Sequence, residues 1–323
     1  MSLAVVFPGQ GSQRVGMGQD WLNHSAVREV FDAADAALGD PISKLCFEGP
    51  NDQLVLTANQ QPAILTVSYA IFQAIRDELP AVAFFAGHSL GEYTALVAAG
   101  AVEFTDAVAT VRERGALMQE AVPPGEGAMA AIMRLDAEAI REINHKVASE
   151  LDHDLVVANL NSPEQVVVSG HADAVRAAMP LYEAAGAKRA VELPVSAPFH
   201  SPLMVPAADG LKPRLASIVF QRTETPVVAN LTAEPYPGAP EQYALMLHAQ
   251  VFNPVRWVET IEYITARGVT HLLEVGPGKV LRMLSIKTVN DIKAMNIDLE
   301  KDHDALREWL ANCQDDTAVE GAM

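Results

Sequence analysis

Strand-length apolar runs alternating with helix-patterned segments predict an α/β fold, a parallel-sheet core interrupted by a smaller inserted unit. Three observations carry this. Leu3-Ala4-Val5-Val6-Phe7 is a continuous apolar run and reads as a buried strand. A second run, from Ala81 to Ala86, ends in Gly87-His88-Ser89-Leu90-Gly91 and passes at once into a helix-forming segment. Within residues 128–193 the pattern becomes strand, helix, strand, strand, helix, strand.

The composition agrees. Of 323 residues, 50% are hydrophobic and 20% charged, a globular balance with ample material for a core. A net charge of −18 argues against nucleic acid and anionic membranes as partners, so any anionic ligand must meet a local cation. Cys46 and Cys313 are too few and too far apart for a disulfide framework or a cysteine metal site, which points to a reducing compartment. The N-terminus lacks a basic segment and a cleavage site, and no apolar run reaches about eighteen residues, so a soluble cytoplasmic protein is expected.

The first strand ends in Pro8-Gly9-Gln10-Gly11-Ser12-Gln13. Arg14 stands where a dinucleotide fingerprint needs its third glycine, and no Gly-Lys-Ser/Thr follows. The segment reads either as a plain strand-to-helix loop or as one that aims Gln10 into a site. Ser25 can cap a helix over 26–38 that stops at Gly39. Pro62 suits the first turn of a helix over 63–79, apolar on most faces and ended by Pro80. Thr105 caps the next helix, which carries Arg112 and Arg114. Such arginines are normally solvated, and Arg114 gains interest only if something turns it inward.

Pro123-Pro124-Gly125-Glu126-Gly127 marks an internal boundary. Strands over 128–133, 155–159, 165–169 and 188–193, with helices over 136–149 and 173–185, give the split β-α-β-β-α-β order of a ferredoxin-like unit. The expected organisation is a large core over 1–126 and 195–313, a small subdomain over 127–194, and a disordered acidic tail over 314–323. Beyond the insert come a strand over 226–229, helices over 241–252 and 256–267, a strand over 271–275 closing at Gly276-Pro277-Gly278, and a helix over 302–312.

Gly-x-Ser-x-Gly between a strand and a helix is a nucleophile elbow. Its glycines leave room where the chain reverses, and the helix N-terminus beyond Ser89 favours an alkoxide or oxyanion. Of the nine histidines, His200 is the best base. Pro198 and Pro202 stiffen its loop at the exit of the insert, whereas His88, adjacent to the serine, is badly directed toward the hydroxyl.

Several stretches together resemble the malonyl-CoA:acyl carrier protein transacylase family. They are Pro8-Gly9-Gln10-Gly11-Ser12-Gln13, Gln61-Pro62-Ala63, Gly87-His88-Ser89-Leu90-Gly91-Glu92, Arg114-Gly115, Gly127-Ala128-Met129-Ala130-Ala131, Pro194-Val195-Ser196 before His200, Asn253-Pro254-Val255-Arg256-Trp257 and Glu274-Val275-Gly276-Pro277-Gly278. The resemblance implies an α/β-hydrolase-like acyltransferase core with the ferredoxin-like insert. It implies Ser89 as the acyl-carrying nucleophile and His200 as its base, oriented by a main-chain carbonyl near Gln250 rather than by an aspartate. It further implies oxyanion donors in the backbone N–H groups of Gln10 and Leu90, a carboxylate clamp in Arg114, and Gln61 and His88 as substrate-pocket residues.

Malonyl-CoA and an acyl carrier protein, which brings its own phosphopantetheine, follow as partners of a monomer without resident cofactor or metal. Carriers of this family are acidic, so docking needs a basic patch, for which Lys188, Arg189, Lys279, Arg282 and Lys287 are candidates. Phe199 departs from fatty-acid members, which often carry something smaller before the base, and is reminiscent of acyltransferases that load polyketide synthases. A polyketide-loading acyltransferase is the near alternative, an acyl-thioester hydrolase a more distant one, and a non-catalytic carrier-binding subunit the third.

Overall fold

The structure, a computed structural model, describes residues 2–195 and 197–320, with the backbone alone for 314–320. Two sheets organise it. The larger is five-stranded, in the order β7 (Val227–Val228), β2 (Val82–Gly87), β1 (Leu3–Phe7), β8 (His271–Val275), β9 (Lys293–Ile297), with every pairing parallel. β1 is central and fully buried because it serves two cores. Leu3, Val5 and Phe7 join a cluster with α1 (Ser25–Leu38), α4 (Thr57–Ile75), α5 (Leu90–Ala98) and α6 (Phe104–Glu120). Ala4 and Val6 join Trp257 and Ile261 of α11 (Trp257–Thr265) and Leu281 of α12 (Val280–Thr288). A strand covered on both faces has no polar side, hence its unbroken apolar sequence.

The small unit is an antiparallel sheet in the order β4 (Leu155–Ser162), β5 (Gln165–His171), β3 (Gly127–Met133), β6 (Arg189–Glu192). Helices α7 (Ala137–Leu151) and α8 (Ala172–Ala184) cover it around a separate core of Ala130, Ile132, Val168 and Tyr182. This is the ferredoxin-like order expected from the sequence. The insert is stitched to the core by a short parallel bridge: Leu160 N–H donates to Val255 O and Val255 N–H to Ala158 O, each at 2.9 Å.

Several boundaries differ from expectation. The helix expected over 63–79 begins at Thr57 and ends at Ile75, placing Pro62 inside it. Thr57 lies where Gly115 allows α4 and α6 to touch, since a Cβ on Gly115 would stand 2.4 Å from Thr57 O. The short helices α2 (Ile42–Glu48) and α3 (Asn51–Leu54), together with α12 and β9, lacked a readable signal. Between β6 and α11 lie α9 (Val205–Ser217) and α10 (Tyr243–Gln250). The acidic stretch expected as a disordered tail spans 314–323. The backbone of α13 (His303–Glu320) is helical, and no glycine or proline lies between these residues. Residues 321–323 of that expectation lie outside the described residues.

Candidate active site

β1 and β2 run side by side with Phe7 opposite Gly87, so the loops leaving their C-terminal ends meet. The approach is too close for side chains. A Cβ on Gly91 would lie 2.1 Å from Phe7 O, and one on Gly87 2.0 Å from Gly91 C. Between these glycines Ser89 takes φ 50° and ψ −103°, a conformation L residues rarely hold. Asn230 supports it from β7's exit loop: its side-chain oxygen accepts from Ser89 N–H at 2.7 Å, and its Nδ2 donates to Gly87 O at 2.7 Å.

Ser89 Oγ lies 2.8 Å from His200 Nε2. His200 is also held at positive φ, 57°, and is 3% exposed. Its Nδ1 faces Gln250 O at 3.0 Å and Asn253 O at 3.1 Å. Carbonyls only accept, so Nδ1 carries the proton and Nε2 offers its lone pair to the serine. Burial, then the Arg114 and His88 charges, push His200 down to about 3, so the resting imidazole is neutral.

Arg114 is turned fully inward, 1% exposed. Its Nη2 donates to Ser89 Oγ at 3.2 Å and to Gln250 Oε1 at 2.9 Å, while Nη1 donates to Gln61 Oε1 at 2.8 Å. Among the described residues, its buried Nε has no acceptor. Burial lowers the Arg114 pKa and the neighbouring Tyr93 and Glu92 oppose that, so the guanidinium remains a cation. Glu92, equally buried, accepts from Asn230 N–H at 3.0 Å, from Gln250 Nε2 at 3.0 Å and from the Tyr236 hydroxyl. Desolvation raises its pKa, and these three donors and Arg114 work against the rise. Gln250 Nε2 also donates to Ser89 O at 2.8 Å, so Gln250 links serine, guanidinium and carboxylate.

The sequence-derived residues therefore converge, with refinements. Gln61 is buried against Arg114 and Met118, orienting the guanidinium. His88 bonds Asn161 Oδ1 at 2.8 Å through Nε2, pointing away from the serine hydroxyl and toward the insert. The Gln10 side chain reaches Thr57 Oγ1 at 3.4 Å, leaving its backbone N–H as the group of interest. Leu90 N–H opens α5 ahead of the intrahelical ladder, and among the described residues no loop hydrogen bond uses it or the Gln10 N–H. Gln10 and His88 line a cavity of ≈ 280 Å³ with Asn159, Asn161, Leu193 and Leu281, in the cleft between core and insert.

Sequence reasoning missed the roles of Asn230, Glu92, Asn161 and Asn253. Glu92 and Asn253 sit inside motifs already singled out, while Asn230 and Asn161 have no spacing signal. The basic patch is smaller than expected. Arg282 is spent on Ala294 O at 3.0 Å and Asn296 Oδ1 at 3.1 Å, and Lys287 pairs with Glu164 at 3.3 Å; Lys188, Arg189 and Lys279 stay exposed. Phe199 is 7% exposed and belongs to the large core cluster.

Comparison with known proteins gives a consistent result. Residues 4–320 match the family described as acyl transferase domain. The Bacillus subtilis malonyl CoA-acyl carrier protein transacylase is 47% identical over 289 residues, covering 89% of this chain and 90% of that protein. An acyl carrier protein S-malonyltransferase from Vibrio cholerae superposes with a TM-score of 0.91 at 42% identity, over 95% of this chain and 100% of the other. A malonyl-transacylase solved with a type II polyketide synthase acyl-carrier protein gives 0.90 at 43% identity, over 93% and 97%.

Proposed function

The chain belongs to the acyl transferase domain family, and from that premise we propose that it moves malonyl groups from coenzyme A to an acyl carrier protein. The observation that carries the reading is Arg114, a buried guanidinium with an unused Nε–H, 3.2 Å from the hydroxyl that would carry the acyl group. A buried donor without an acceptor costs about 1–3 kcal/mol, and the free carboxylate of a malonyl group supplies that acceptor. A hydrolase of simple acyl thioesters has no use for it.

The reaction is ping-pong. His200 Nε2 takes the Ser89 proton as Oγ attacks the thioester carbonyl, and the backbone N–H groups of Leu90 and Gln10 receive the developing oxyanion. Collapse expels the coenzyme A thiolate, which takes the proton from His200 and leaves a malonyl ester on Ser89. In the second half the carrier's phosphopantetheine thiol gives its proton to His200 and attacks the ester. Ser89 Oγ leaves and recovers the proton. Serine, histidine and two amides suffice, so no resident cofactor or metal takes part.

Every group in this scheme comes from one chain, which suits a monomer. No helix among the described residues is long and apolar enough to cross a membrane. We place the enzyme in the cytoplasm, where coenzyme A thioesters and carrier proteins meet. The test is mass spectrometry of protein incubated with malonyl-CoA. A malonyl adduct on Ser89, discharged by a holo carrier protein and absent from Ser89→Ala, supports the reading; an unmodified wild-type Ser89 overturns it. Running the discharge with fatty-acid and polyketide carriers separately identifies the pathway served.

A further inference from the structure

Outside the acyl site, His24, Glu300 and His303 come together, and one ligand atom of each lies within 4.8 Å of the others. His24 is the residue before α1, while Glu300 opens the turn leading into α13 and His303 is that helix's first residue. None of the three has a part in the reaction scheme. We propose that they form a binding site for a divalent transition-metal cation of the zinc type, fastening the start of α13 to the start of α1.

The donor set selects the cation. Two imidazoles and one carboxylate suit zinc, cobalt or nickel, whereas magnesium and calcium take oxygen ligands. His24 Nε2 and Glu300 Oε1 are 3.9 Å apart, close to the ~3.4 Å between donors at ~2.1 Å from a tetrahedral metal. A small side-chain movement closes the difference, and solvent completes the coordination.

The surroundings prepare the site. The Trp21 ring lies 5.2 Å from that of His24 and 5.4 Å from that of His303, limiting the movement of both. His303 is 5% exposed, and its Nε2 is 2.9 Å from Glu78 Oε1. Arg307 bonds both Glu78 oxygens, so this carboxylate serves to orient the ring, as outer carboxylates do for metal-ligating histidines. Asp20 Oδ2 accepts from Glu300 N–H at 2.8 Å, fixing the backbone that presents the third ligand. Asp20 and Glu78 against Arg307 leave the neighbourhood net negative, which favours a cation.

The site also has a structural purpose. β9, which precedes it, is an edge strand of the large sheet, and α13 follows without a further strand to secure it. A cation here would join segments 276 residues apart (300 − 24), a long loop whose closure restricts the unfolded chain.

The test uses the full-length protein freed of metal and titrated with zinc chloride by calorimetry, alongside thermal unfolding and the visible absorption of the cobalt form. Three proteins are compared: wild type, the double variant His24→Gln/Glu300→Gln, and the control His153→Gln at the separate His153–His171 pair. Expected are one saturable zinc equivalent in wild type and control, a zinc-dependent rise in Tm, tetrahedral cobalt bands, and at least about tenfold weaker binding in the double variant. Both substituted side chains are partly exposed, and a metal-free Tm equal to wild type checks that the double variant folds. No saturable zinc binding by wild type overturns the proposal, as does equal binding by the double variant or loss of binding in the control.

Discussion

At Ser89 the chemistry rests on one cation serving two states. In the free enzyme the Arg114 Nη2 contact favours the deprotonated hydroxyl, and in the proposed malonyl-enzyme the same guanidinium would face a carboxylate. Arg114→Ala is therefore expected to reduce malonyl transfer by about a hundredfold, about 3 kcal/mol, while acetyl transfer, which lacks the carboxylate, falls much less. Parallel single-turnover assays with the two donors check this, and equal losses would sink the clamp. His200 yields a second prediction. Its folded value of about 3 lies below the ordinary 6.5, so the unfolded chain binds the extra proton between those values. Its contribution to stability is complete above pH 6.5 and is lost as pH falls toward 3, at about 1.4 kcal/mol per pH unit. Urea unfolding of wild type and His200→Gln across this range should show the variant with the shallower slope. kcat/KM for malonyl-CoA should show no acid limb near 6.5, because the free enzyme's base is already neutral there.

At the scale of elements, the site exists because β1 and β2 end together and the elbow folds back over them. Gly91→Ala would drive a Cβ to 2.1 Å from Phe7 O, a collision with backbone that no rotamer relieves. The expected result is a loss of about 3 kcal/mol or more, read as a lower denaturant midpoint. Wild-type stability in this variant would show that the elbow is looser than the contact requires. These features were legible because each is local. The apolar run ending in Gly87, with Ser89 between two glycines, is one short stretch, and the two prolines around His200 form another. The supporting groups were not legible for the opposite reason. Asn230 stands 141 residues from Ser89, and Asn161 73 residues from His88, and each is a single side-chain amide with no period to reveal it. α12 is capped by the buried Glu274, which accepts from Leu281 and Arg282 N–H, so a distant carboxylate rather than a local cap marks its start. The cluster at His24 was hidden likewise, since an inventory of cysteines has no bearing on histidines brought together by folding.

Across the whole molecule, the insert is a working half of the site rather than an ornament on the core. β4 of the insert pairs with Val255, two residues beyond the Asn253 carbonyl that accepts from His200, and it carries the Asn161 that holds His88. The cleft at this seam also holds the ≈ 280 Å³ cavity lined by Gln10 and His88. A malonyl ester on Ser89 would be open to attack by water as well as by the carrier thiol. The seam at Val255 and Asn161 is the place where such access can be tested. Asn161→Ala removes the His88 contact and leaves a half-buried imidazole nitrogen without that partner, at a cost of about 1 kcal/mol on the seam. The Ser89–His200 pair is left in place, so acylation by malonyl-CoA should change little. The partition should change more, with the ratio of free malonate to malonyl carrier rising several-fold in a quench assay of the preformed acyl-enzyme. If acylation and partition move together, the insert acts on the catalytic pair itself; if neither moves, the seam is held by the backbone bridge at Val255 alone.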